Sequence, residues 1–456
     1  MSTPRVTILW LHQDLRLDDN PALAAAAQRG AVLPVYVHAP EEAGGWRPGA
    51  ASNWWLHQSL SRLAAGYSER GVELQLRSGP SDQTLQTLIQ ASGADAIYFA
   101  RRYEPALRAR DQQLAEHFRA QGIQVEIFDG PLLHGPQQLR TQAGDPFRVF
   151  TPFWKRCREQ LLSAAPQAEP APEQLQGVAL NENLQLSELQ LLPSIAWDQG
   201  LRAAWTPGEP GAQQALADFL EAPVAHYSDG RDRPDQQYTS RLSPHLHFGE
   251  ISPLRIWQQT RAAQLDERGT DKFLSEVGWR EFAYHLLQNF PDTTSQPLNA
   301  KFEHFPWRDP DTDARAAADL QAWQLGNTGV DLVDAGMREL WATGWMHNRV
   351  RMVAASFLTK NLRIHWLHGA RWFWDTLVDA DLASNTLGWQ WVAGCGADAA
   401  PYFRVFNPDL QAQKFDPQAL YRRRWLADRA PPLQPIVDLK ASRAAALSAY
   451  QQIKGG

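Results

Sequence analysis

The sequence is poor in sulfur and carries no excess of positive charge. Its 456 residues include only two cysteines, Cys157 and Cys395, and its 44 lysines and arginines are outnumbered by 50 aspartates and glutamates. Two cysteines are too few for a disulfide framework or a cysteine-rich zinc site, and they suit a reducing cytoplasm. Because the net charge is −6, any binding of nucleic acid needs a local basic patch rather than a globally basic surface.

Long apolar runs are missing as well. The N-terminal run Val6–Leu11 is broken by His12 and Asp14, so it is too short for the core of a signal peptide. No later run approaches the ~20 apolar residues of a membrane span. The 30 glycines and 31 prolines are ordinary numbers, which excludes collagen-like and disordered chains. We therefore expect a soluble protein of the cytoplasm that has no membrane partner.

Two common phosphate-binding motifs are also absent. No Gly-x-Gly-x-x-Gly follows the first predicted strand, where the chain reads His12-Gln13-Asp14-Leu15-Arg16, and no Gly-Lys-Ser/Thr loop occurs. These motifs place glycines where a phosphate must approach the backbone closely. Their absence argues against a simple NAD dehydrogenase and against a P-loop enzyme.

Short apolar segments alternate with helix-like segments over the first 130 residues. The predicted strands are Val6–Leu11, Val32–His38, Val72–Arg77, Ala96–Ala100 and Val125–Phe128. The segments between them are long enough for crossover helices, for example Asn53–Arg70 and Pro105–Gln121. Nearly continuous apolar strands linked by helices predict a parallel sheet that is covered on both faces.

The rest of the chain has a different pattern. Over residues 131–206 the pattern loosens, and Leu161–Leu192 is rich in Gln, Glu, Ala and Pro with weak periodicity. This predicts an interdomain connector. Residues 207–456 have helical periodicity, and the predicted helices are Gly211–Glu221, Phe273–Gln288, Leu332–Thr343, Met346–Thr359, Gly369–Val378 and Pro417–Leu426. The predicted fold is an α/β domain over 1–130 with a five-stranded, Rossmann-like parallel sheet, followed by the connector and a larger all-α domain.

Tryptophan is unusually frequent in the helical part. Of 19 tryptophans, 12 lie between Trp257 and Trp425. Large aromatic side chains of this kind usually build a core. The same density is also consistent with a site that binds a planar ring and carries redox chemistry.

Four short motifs carry side chains suited to chemistry. In Thr239–Ser243, three hydroxyls and Arg241 precede a predicted helix, which fits either an anion site or a capped turn. Glu276, Trp279 and Arg280 share one helix face, either as a surface ion pair or as a base-stacking surface. The other two motifs place Asn348 four residues before Met352, and two acids, Asp379 and Asp381, before Asn385 and Trp389.

These motifs resemble those of one known family in their order and approximate spacing. The opening stretch Trp10–Pro21 is similar to its N-terminal signature, and the later matches are Thr239–Ser243, Glu276–Phe282, Trp345–Met352, Asp379–Trp391 and Phe406–Pro408. On these residues the chain resembles a class I cyclobutane pyrimidine dimer photolyase of the photolyase/cryptochrome family, along nearly its whole length. The resemblance implies a monomeric enzyme that uses light to split pyrimidine dimers in UV-damaged DNA.

The resemblance also implies a reduced FAD held inside the helical domain. The matched cofactor-binding residues are Tyr227, Thr239, Ser240, Arg241, Leu242, Ser243, Phe273, Asp379, Asp381 and Asn385. Residues 239–243 would bind chiefly the phosphates, and the two aspartates would lie near the ribose and the isoalloxazine. Asn385 would face N5 of the flavin and favour its fully reduced form, which is how a protein tunes a cofactor.

A repair pocket and a DNA-binding surface follow from the same resemblance. The pocket residues are Glu276, Trp279, Asn348, Met352 and Trp391, and the DNA-contacting residues are Arg231, Arg280, Asn348, Arg349 and Gln411. Glu276 would hydrogen-bond a base carbonyl of the dimer and stabilise the radical anion formed after electron injection, while Trp279 and Trp391 would form the walls. The dimer would leave the duplex by base flipping, a step that the repair of stacked bases requires.

Three tryptophans match the chain through which this family photoreduces its flavin. They are Trp389, Trp366 and Trp307, with Trp323 as the alternative for the outermost position. The stretch Tyr103–Leu107 lacks the Asn-Glu pair that holds a folate antenna in some relatives. A second chromophore therefore stays open between a deazaflavin, a second flavin and none.

Three alternatives remain beside dimer repair. A cryptochrome-like blue-light photoreceptor would share the fold and the flavin but would alter the repair pocket. Repair of (6-4) photoproducts would use a histidine near the Asn348 position, whereas here His347 precedes Asn348 as in dimer-repairing relatives. A nucleotide transferase using the N-terminal domain alone would leave the helical half of the chain unexplained.

Overall fold

The computed structural model describes residues 5–265, 267–399, 403–429 and 433–454. Its sheet has five strands: β1 (Val6–Leu11), β2 (Ala31–His38), β3 (Gln75–Ser78), β4 (Ala96–Ala100) and β5 (Gln124–Phe128). Every pair of neighbours is parallel, and the order is β3-β2-β1-β4-β5. The chain thus builds outward from β1 in both directions, as in doubly wound α/β folds. The predicted fold class is confirmed.

Strands β1 and β4 show why the sequence predicted this sheet clearly. All residues of β1 and β4 are buried, because helices cover both faces and the strands read as continuous apolar runs. Their predicted bounds match the structure. β3 begins at Gln75 rather than at Val72, because the backbone N–H of Val72 donates to the carbonyl of Tyr67 at 3.1 Å and still belongs to the turn after the preceding helix.

Nineteen α-helices occur along the described residues. The first ten are α1 (Pro21–Arg29), α2 (Ala50–Ser68), α3 (Ser81–Ser92), α4 (Pro105–Ala120), α5 (Phe150–Ala164), α6 (Gln199–Ala204), α7 (Glu209–Glu221), α8 (Tyr227–Gly230), α9 (Ser243–His247) and α10 (Pro253–Ala262). The other nine are α11 (Glu267–Asn289), α12 (Ala314–Gln324), α13 (Asp331–Thr343), α14 (Asn348–Ser356), α15 (Trp366–Thr376), α16 (Leu382–Ala393), α17 (Pro408–Phe415), α18 (Leu420–Trp425) and α19 (Leu439–Lys454).

Prolines and capping side chains mark where many of these helices begin. Pro21, Pro253 and Pro408 occupy the first turns of α1, α10 and α17, where a proline removes no helical hydrogen bond. Asn20, just before α1, accepts from the backbone N–H of Leu23 at 3.1 Å. Such a side chain satisfies one of the four N–H groups that a helix start leaves without partners.

Contacts divide the chain into two compact units. The first comprises 1–140, 155–221 and 240–267, and the second comprises 141–154, 222–239 and 268–456. The sheet lies in the first unit, and α12–α19 lie in the second. Helices α5 and α6 fall within the predicted connector. The predicted division into 1–130, 131–206 and 207–456 stays a prediction.

All six predicted helices differ in their bounds from the structure; α11, for example, begins at Glu267 rather than at Phe273. For two of them the local structure gives the reason. The helix predicted over Met346–Thr359 begins at Asn348, because the Nδ1 of His347 accepts from the backbone N–H of Arg349 at 3.2 Å and caps α14. It then passes into a π-helical turn over Phe357–Asn361. The helix predicted over Pro417–Leu426 is only α18, because the residue before it, Ala419, has a left-handed φ of 54° that no α-helix includes.

The described helices were also searched for membrane spans. None combines the length and the apolarity that crossing a bilayer requires. Among the described residues, Cys157 and Cys395 form no disulfide, and both are buried.

Gly369 is where α15 packs most closely on α16. A Cβ placed on Gly369 would lie 2.1 Å from Cη2 of Trp389 and 2.7 Å from Cδ2 of Leu358. We predict that Gly369→Ala destabilises the helical unit by roughly 1–3 kcal/mol, as overpacking of a core does, and lowers its melting temperature. Gly388→Ala on α16 is the control, because its methyl group would meet no atom within 4 Å. Equal melting temperatures for the two variants would contradict this packing.

Candidate functional site

A cavity of about 180 Å³ lies among α14, α15 and α16. Polar and apolar side chains line it together: Asn348, Arg351, Met352, Ala355, Phe373, Leu377, Asp379, Ser384, Asn385, Gly388, Trp389 and Val392. The volume exceeds the ~150 Å³ of an apolar cavity that accepts benzene, so it admits part of a planar aromatic ligand. The cavity brings predicted cofactor residues (Asp379, Asn385) together with predicted repair residues (Asn348, Met352).

An ion pair forms one wall of the cavity. Nη2 of Arg351 lies 2.9 Å from Oδ2 of Asp379, whose side chain is 3% exposed, and Nε of Arg351 donates to the carbonyl of Met346 at 2.6 Å. The other carboxylate oxygen of Asp379, Oδ1, is buried and has no hydrogen-bond partner among the described residues. Because buried acceptors are normally satisfied, this oxygen is available to a donor on a bound ligand.

Asn385 presents an acceptor to the same cavity. Its Nδ2 donates to the backbone carbonyl of Ala370 at 3.0 Å. A carbonyl can only accept, so this contact fixes which way the amide is turned. The remaining Oδ1 is the atom that a ligand N–H group can use.

Asp381 caps a helix, which is a structural role open to an acid that precedes a helix. Its Oδ1 accepts from the backbone N–H of Ser384 at 2.7 Å and caps α16, and its Oδ2 accepts from the Tyr284 hydroxyl. A carboxylate at a helix N-terminus is stabilised by the N–H groups and the helix dipole. Asp381 therefore sets where α16 begins, and with it the positions of Asn385 and Trp389.

Tyr227 and Phe273 form a buried aromatic pair in the second unit. Their ring centroids lie 5.6 Å apart in an edge-to-face arrangement with an interplanar angle of 82°. The Arg231 guanidinium lies 5.7 Å from the centroid of the Tyr227 ring. Burial raises the pKa of Tyr227, with the charge of Glu276 adding to the effect, so its hydroxyl stays protonated.

The segment Thr239–Ser243 forms a turn that leads directly into α9. Arg241 has a left-handed φ of 53°, which is unusual for a residue with a side chain and recurs at ligand-binding turns. Its guanidinium lies 4.0 Å from the centroid of the Trp205 ring, and the backbone N–H of Leu242 donates to the Ser240 hydroxyl at 3.4 Å. The predicted phosphate-binding role of this turn stays a prediction.

A series of alternating charges connects α11 to the start of α14. Glu276 forms an ion pair with Arg231, and Nζ of Lys272 lies 3.0 Å from its Oε1. Nε of Arg231 lies 3.9 Å from Oδ1 of Asp232, and Nη2 of Arg349 lies 2.8 Å from Oδ2 of Asp232. We call these five residues the charge series. It joins predicted repair and DNA-binding residues, three of which the motifs identified.

The two predicted wall tryptophans are each held by an aromatic neighbour. Trp279 stacks on Phe150 with a centroid distance of 3.9 Å and an interplanar angle of 9°. Trp391 lies over Phe406 at 6.5 Å and 29°, and the Arg404 guanidinium is 5.7 Å from its ring. Both indoles are only half-buried. Each is thus fixed in orientation while part of its surface is open to a partner.

The remaining predicted contact residues differ in exposure. Asn348 is exposed at the start of α14, and its Nδ2 lies 4.0 Å from the sulfur of Met352. Arg280 is only 9% exposed and lies over the Tyr284 ring at 4.8 Å. Gln411 is half-buried, and its Oε1 has no hydrogen-bond partner within the described residues. Asn348 and Gln411 are therefore better placed for DNA than Arg280.

The predicted electron-transfer tryptophans lie at graded depth. Trp389 and Trp366 are 3% and 1% exposed, and Trp307 is half-buried. The alternative outer residue, Trp323, is fully buried and lies edge-on to Trp389 at 6.1 Å. An outermost relay has to reach solvent, so this gradient favours Trp307 over Trp323.

Motif reasoning missed three charged residues of the site. Lys272 lies four residues before Glu276, and the i, i+4 spacing rule could have found that pair. Asp232 pairs with Arg349, and Arg351 pairs with Asp379. No spacing rule reaches these two contacts, because they join distant parts of the chain.

Comparison with known proteins agrees with this geometry. A family model described as the FAD-binding domain of DNA photolyase matches residues 273–431, and a second, described as DNA photolyase, matches residues 7–173. A deoxyribodipyrimidine photo-lyase from Agrobacterium fabrum is 42% identical, and the alignment covers 98% of each chain. The chain belongs to the DNA photolyase family.

Other members of the photolyase/cryptochrome family are also similar. Cryptochrome-2 of Arabidopsis thaliana is 38% identical over 94% of this chain and 72% of the relative. A bacterial class III photolyase structure from Agrobacterium tumefaciens superposes with a TM-score of 0.92 and 40% identity, covering 100% of this chain and 99% of that one. An archaeal photolyase structure from Sulfolobus tokodaii with two FAD molecules has a TM-score of 0.83 and 26% identity, covering 98% and 100%.

The comparisons correct the narrower part of the sequence prediction. They show the photolyase family, but they give no support to class I, since the Agrobacterium tumefaciens photolyase is described as class III. The motifs indicated the family but could not distinguish one photolyase class from another, because the matched stretches concern residues predicted to contact the flavin and the lesion.

The cavity residues fit a flavin. All twelve lie between Asn348 and Val392, within the part matched by the family's FAD-binding model. The unsatisfied Oδ1 of Asp379 and the free acceptor of Asn385 suit a polar ring that carries N–H groups, and Arg351 holds one of these acceptors in place.

His347 makes the helical unit sensitive to acid. Burial lowers the pKa of this histidine to about 4, and three nearby arginines lower it further while Asp232 opposes them. An unfolded histidine titrates near ~6.5, so the unfolded chain binds more protons between these pH values. The contribution of neutral His347 to the free energy of unfolding is therefore complete above pH ~6.5, and about 3 kcal/mol of it is lost as the pH falls towards 4.

We predict that His347→Asn weakens this pH dependence, because asparagine caps a helix but does not titrate. Melting temperatures between pH 4 and pH 8 measure the effect, and His117→Asn, at an exposed histidine, is the control. The idea fails if His347→Asn and the native chain lose stability in parallel below pH ~6.5.

Proposed function

We propose that this protein binds FAD and repairs cyclobutane pyrimidine dimers in DNA under near-UV or blue light. The observation that carries the proposal is the single cavity that joins Asp379 and Asn385 to Asn348 and Met352. Cofactor and lesion would thereby lie against each other. The reduced flavin, once excited by light, supplies an electron that opens the cyclobutane ring and then returns to the cofactor.

The cavity residues would bind and orient the flavin. Asn385 and Asp379 present acceptors to its N–H groups, and Arg351 keeps the Asp379 carboxylate turned into the cavity. If Asn385 faces N5, its acceptor would favour reduced forms of the flavin, which carry a proton on N5, over the oxidised form, which does not. Tyr227, Phe273 and the Thr239–Ser243 turn would hold the rest of the dinucleotide.

Glu276 would recognise the lesion. In this structure it is paired with Arg231 and Lys272, so it is an acceptor that suits the imide N–H of a pyrimidine rather than its carbonyl. Trp279 and Trp391 would flank the extruded bases, and their open surfaces suit stacking. Flipping costs a few kcal/mol and is cheapest at a damaged step, so the lesion itself contributes selectivity.

DNA would be held mainly through its phosphates. Arg231 and Arg349 in the charge series and Gln411 on α17 are the proposed contacts, with the less exposed Arg280 as a further one. Such contacts position the duplex without reading its sequence. They also explain how a chain with a net charge of −6 can bind a polyanion.

The proposal also covers the photolyase subclass, the antenna chromophore and the oligomeric state. The 40% identity over the whole chain supports a likeness to class III photolyases. The Sulfolobus tokodaii photolyase with two FAD molecules supports a second chromophore in the family, and its identity here stays open. We propose a monomer, which a molar mass near 51.3 kDa in light scattering would support.

The decisive experiment is to purify the protein, record its visible spectrum before and after illumination, and supply an oligonucleotide containing a thymine dimer. We expect a bound flavin that photoreduces and a light-dependent loss of dimers. Colourless protein that cannot take up FAD would overturn the proposal. Flavin that photoreduces while dimers stay unbound and intact would favour the photoreceptor function, to which the 38% identity with Cryptochrome-2 of Arabidopsis thaliana points.

Two variants separate substrate contact from photoreduction. We predict that Glu276→Gln lowers repair per absorbed photon by about tenfold, the effect of one charge-assisted hydrogen bond of ~1.5 kcal/mol, and leaves flavin binding unchanged. Trp389→Phe should block photoreduction but spare repair by chemically reduced enzyme. If either variant loses its flavin, the residue has been assigned the wrong role.

A further inference from the structure

One imidazole contacts two tryptophans of the predicted electron-transfer chain. The ring centroid of His365 lies 5.2 Å from that of Trp307, at an interplanar angle of 74°. It lies 5.5 Å from that of Trp366, at 33°. Motif reasoning did not identify His365, because it compared only tryptophans.

The backbone holds His365 at this position from two sides. Its Nδ1 accepts from the backbone N–H of Leu367 at 3.2 Å and caps α15. The N–H of Arg308, the residue after Trp307, donates to the carbonyl of Arg363 at 2.7 Å, and the two segments form an isolated parallel bridge. The imidazole is therefore anchored to both segments that carry the indoles.

The cap also fixes the charge of the imidazole. An Nδ1 that accepts a hydrogen bond carries no proton, so the neutral ring has its proton on Nε2. Burial lowers the pKa of His365 to about 4, and the neighbouring His368 lowers it further. At neutral pH the ring is uncharged, and it does not repel positive charge on either indole.

The indole N–H groups of the two tryptophans do not hold them in place. Nε1 of Trp307 and Nε1 of Trp366 are buried, and neither has a hydrogen-bond partner among the residues that the structure describes. The orientation of each ring therefore depends on its ring contacts, and His365 supplies one such contact to each.

We propose that His365 is a positioning and bridging residue for electron transfer between Trp307 and Trp366, an inference that rests on the proposed photoreduction. One electron moves from Trp307 to the oxidised Trp366, which restores Trp366 and leaves the positive charge on Trp307. His365 is neither oxidised nor reduced, and no proton moves. The imidazole fixes the positions of the two indoles relative to each other and couples them electronically, because its ring contacts both.

A helix cap alone would be a purely structural role, and two substitutions separate it from the bridge. His365→Asn keeps a good capping oxygen and removes the ring. His365→Phe keeps an aromatic ring and removes the cap. His368→Asn, at the half-buried histidine three residues further along α15, is the matched control.

Time-resolved absorption of the FAD-loaded protein measures the transfer from Trp307 to Trp366, and the melting temperature of the flavin-free chain measures the cap. We expect His365→Asn to slow the transfer by about tenfold, as small displacements of reacting groups do, with little change in melting temperature. We expect His365→Phe to lower the melting temperature and to retain most of the rate. His368→Asn should change neither quantity.

A normal transfer rate in His365→Asn would overturn the bridge. So would equal slowing in His365→Asn and His365→Phe, because the rate would then follow the cap rather than the ring. If His365→Phe does not fold, His365→Asn still decides. Failure of the proposed function has a different signature: the native protein would not photoreduce a bound flavin, or Trp307→Phe would leave photoreduction unchanged.

Discussion

The ion pair between Arg351 and Asp379 is the contact on which the geometry of the cavity depends. Arg351 is on α14 and Asp379 is in the segment just before α16, so their 2.9 Å contact ties the two helices that carry Asn348 and Asn385. The backbone adds to this, since the N–H of Val378 donates to the carbonyl of Gly344 at 2.8 Å. Breaking a buried pair by removing one partner is strongly destabilising, because the other charge is left without compensation.

Neutral imidazoles appear twice at the helices around the cavity. His347 caps α14 and His365 caps α15, each through an Nδ1 that accepts a backbone N–H. A histidine used this way must stay uncharged, and burial lowers the pKa of each to about 4. The same side chains thus fix where two helices begin and add no positive charge there at neutral pH.

Much of the fold could be predicted from the sequence because its signals are local. Continuous apolar runs located β1 and β4, and helical periodicity located α11 and α13. The start of α14 was predicted wrongly, because the common capping residues are Ser, Thr, Asp and Asn, and His347 is none of these. The left-handed φ of Ala419 also has no sequence signal, since glycine is the residue usually found there.

The candidate site likewise contains some contacts that the sequence could predict and others that it could not. Spacing rules apply along one helix, so Asn348 and Met352 could be paired in advance. The contacts of Asp379 with Arg351, of Asp232 with Arg349, and of His365 with its two indoles join segments that only folding brings together. Sequence matching selected the candidate residues, and the structure adds which of them restrain one another.

The charge series affects how the protein would bind damaged and intact DNA. Arg231 and Arg349 are already paired with Glu276 and Asp232, so an arriving phosphate would displace a carboxylate rather than a mobile salt ion. Less affinity then comes from the counterion release that drives most binding to DNA. Glu276 would keep its contact with Lys272 at 3.0 Å and would gain a further donor from an extruded base but not from a stacked one. On the proposed function, binding to the DNA backbone would therefore be stronger where the lesion has left the helix.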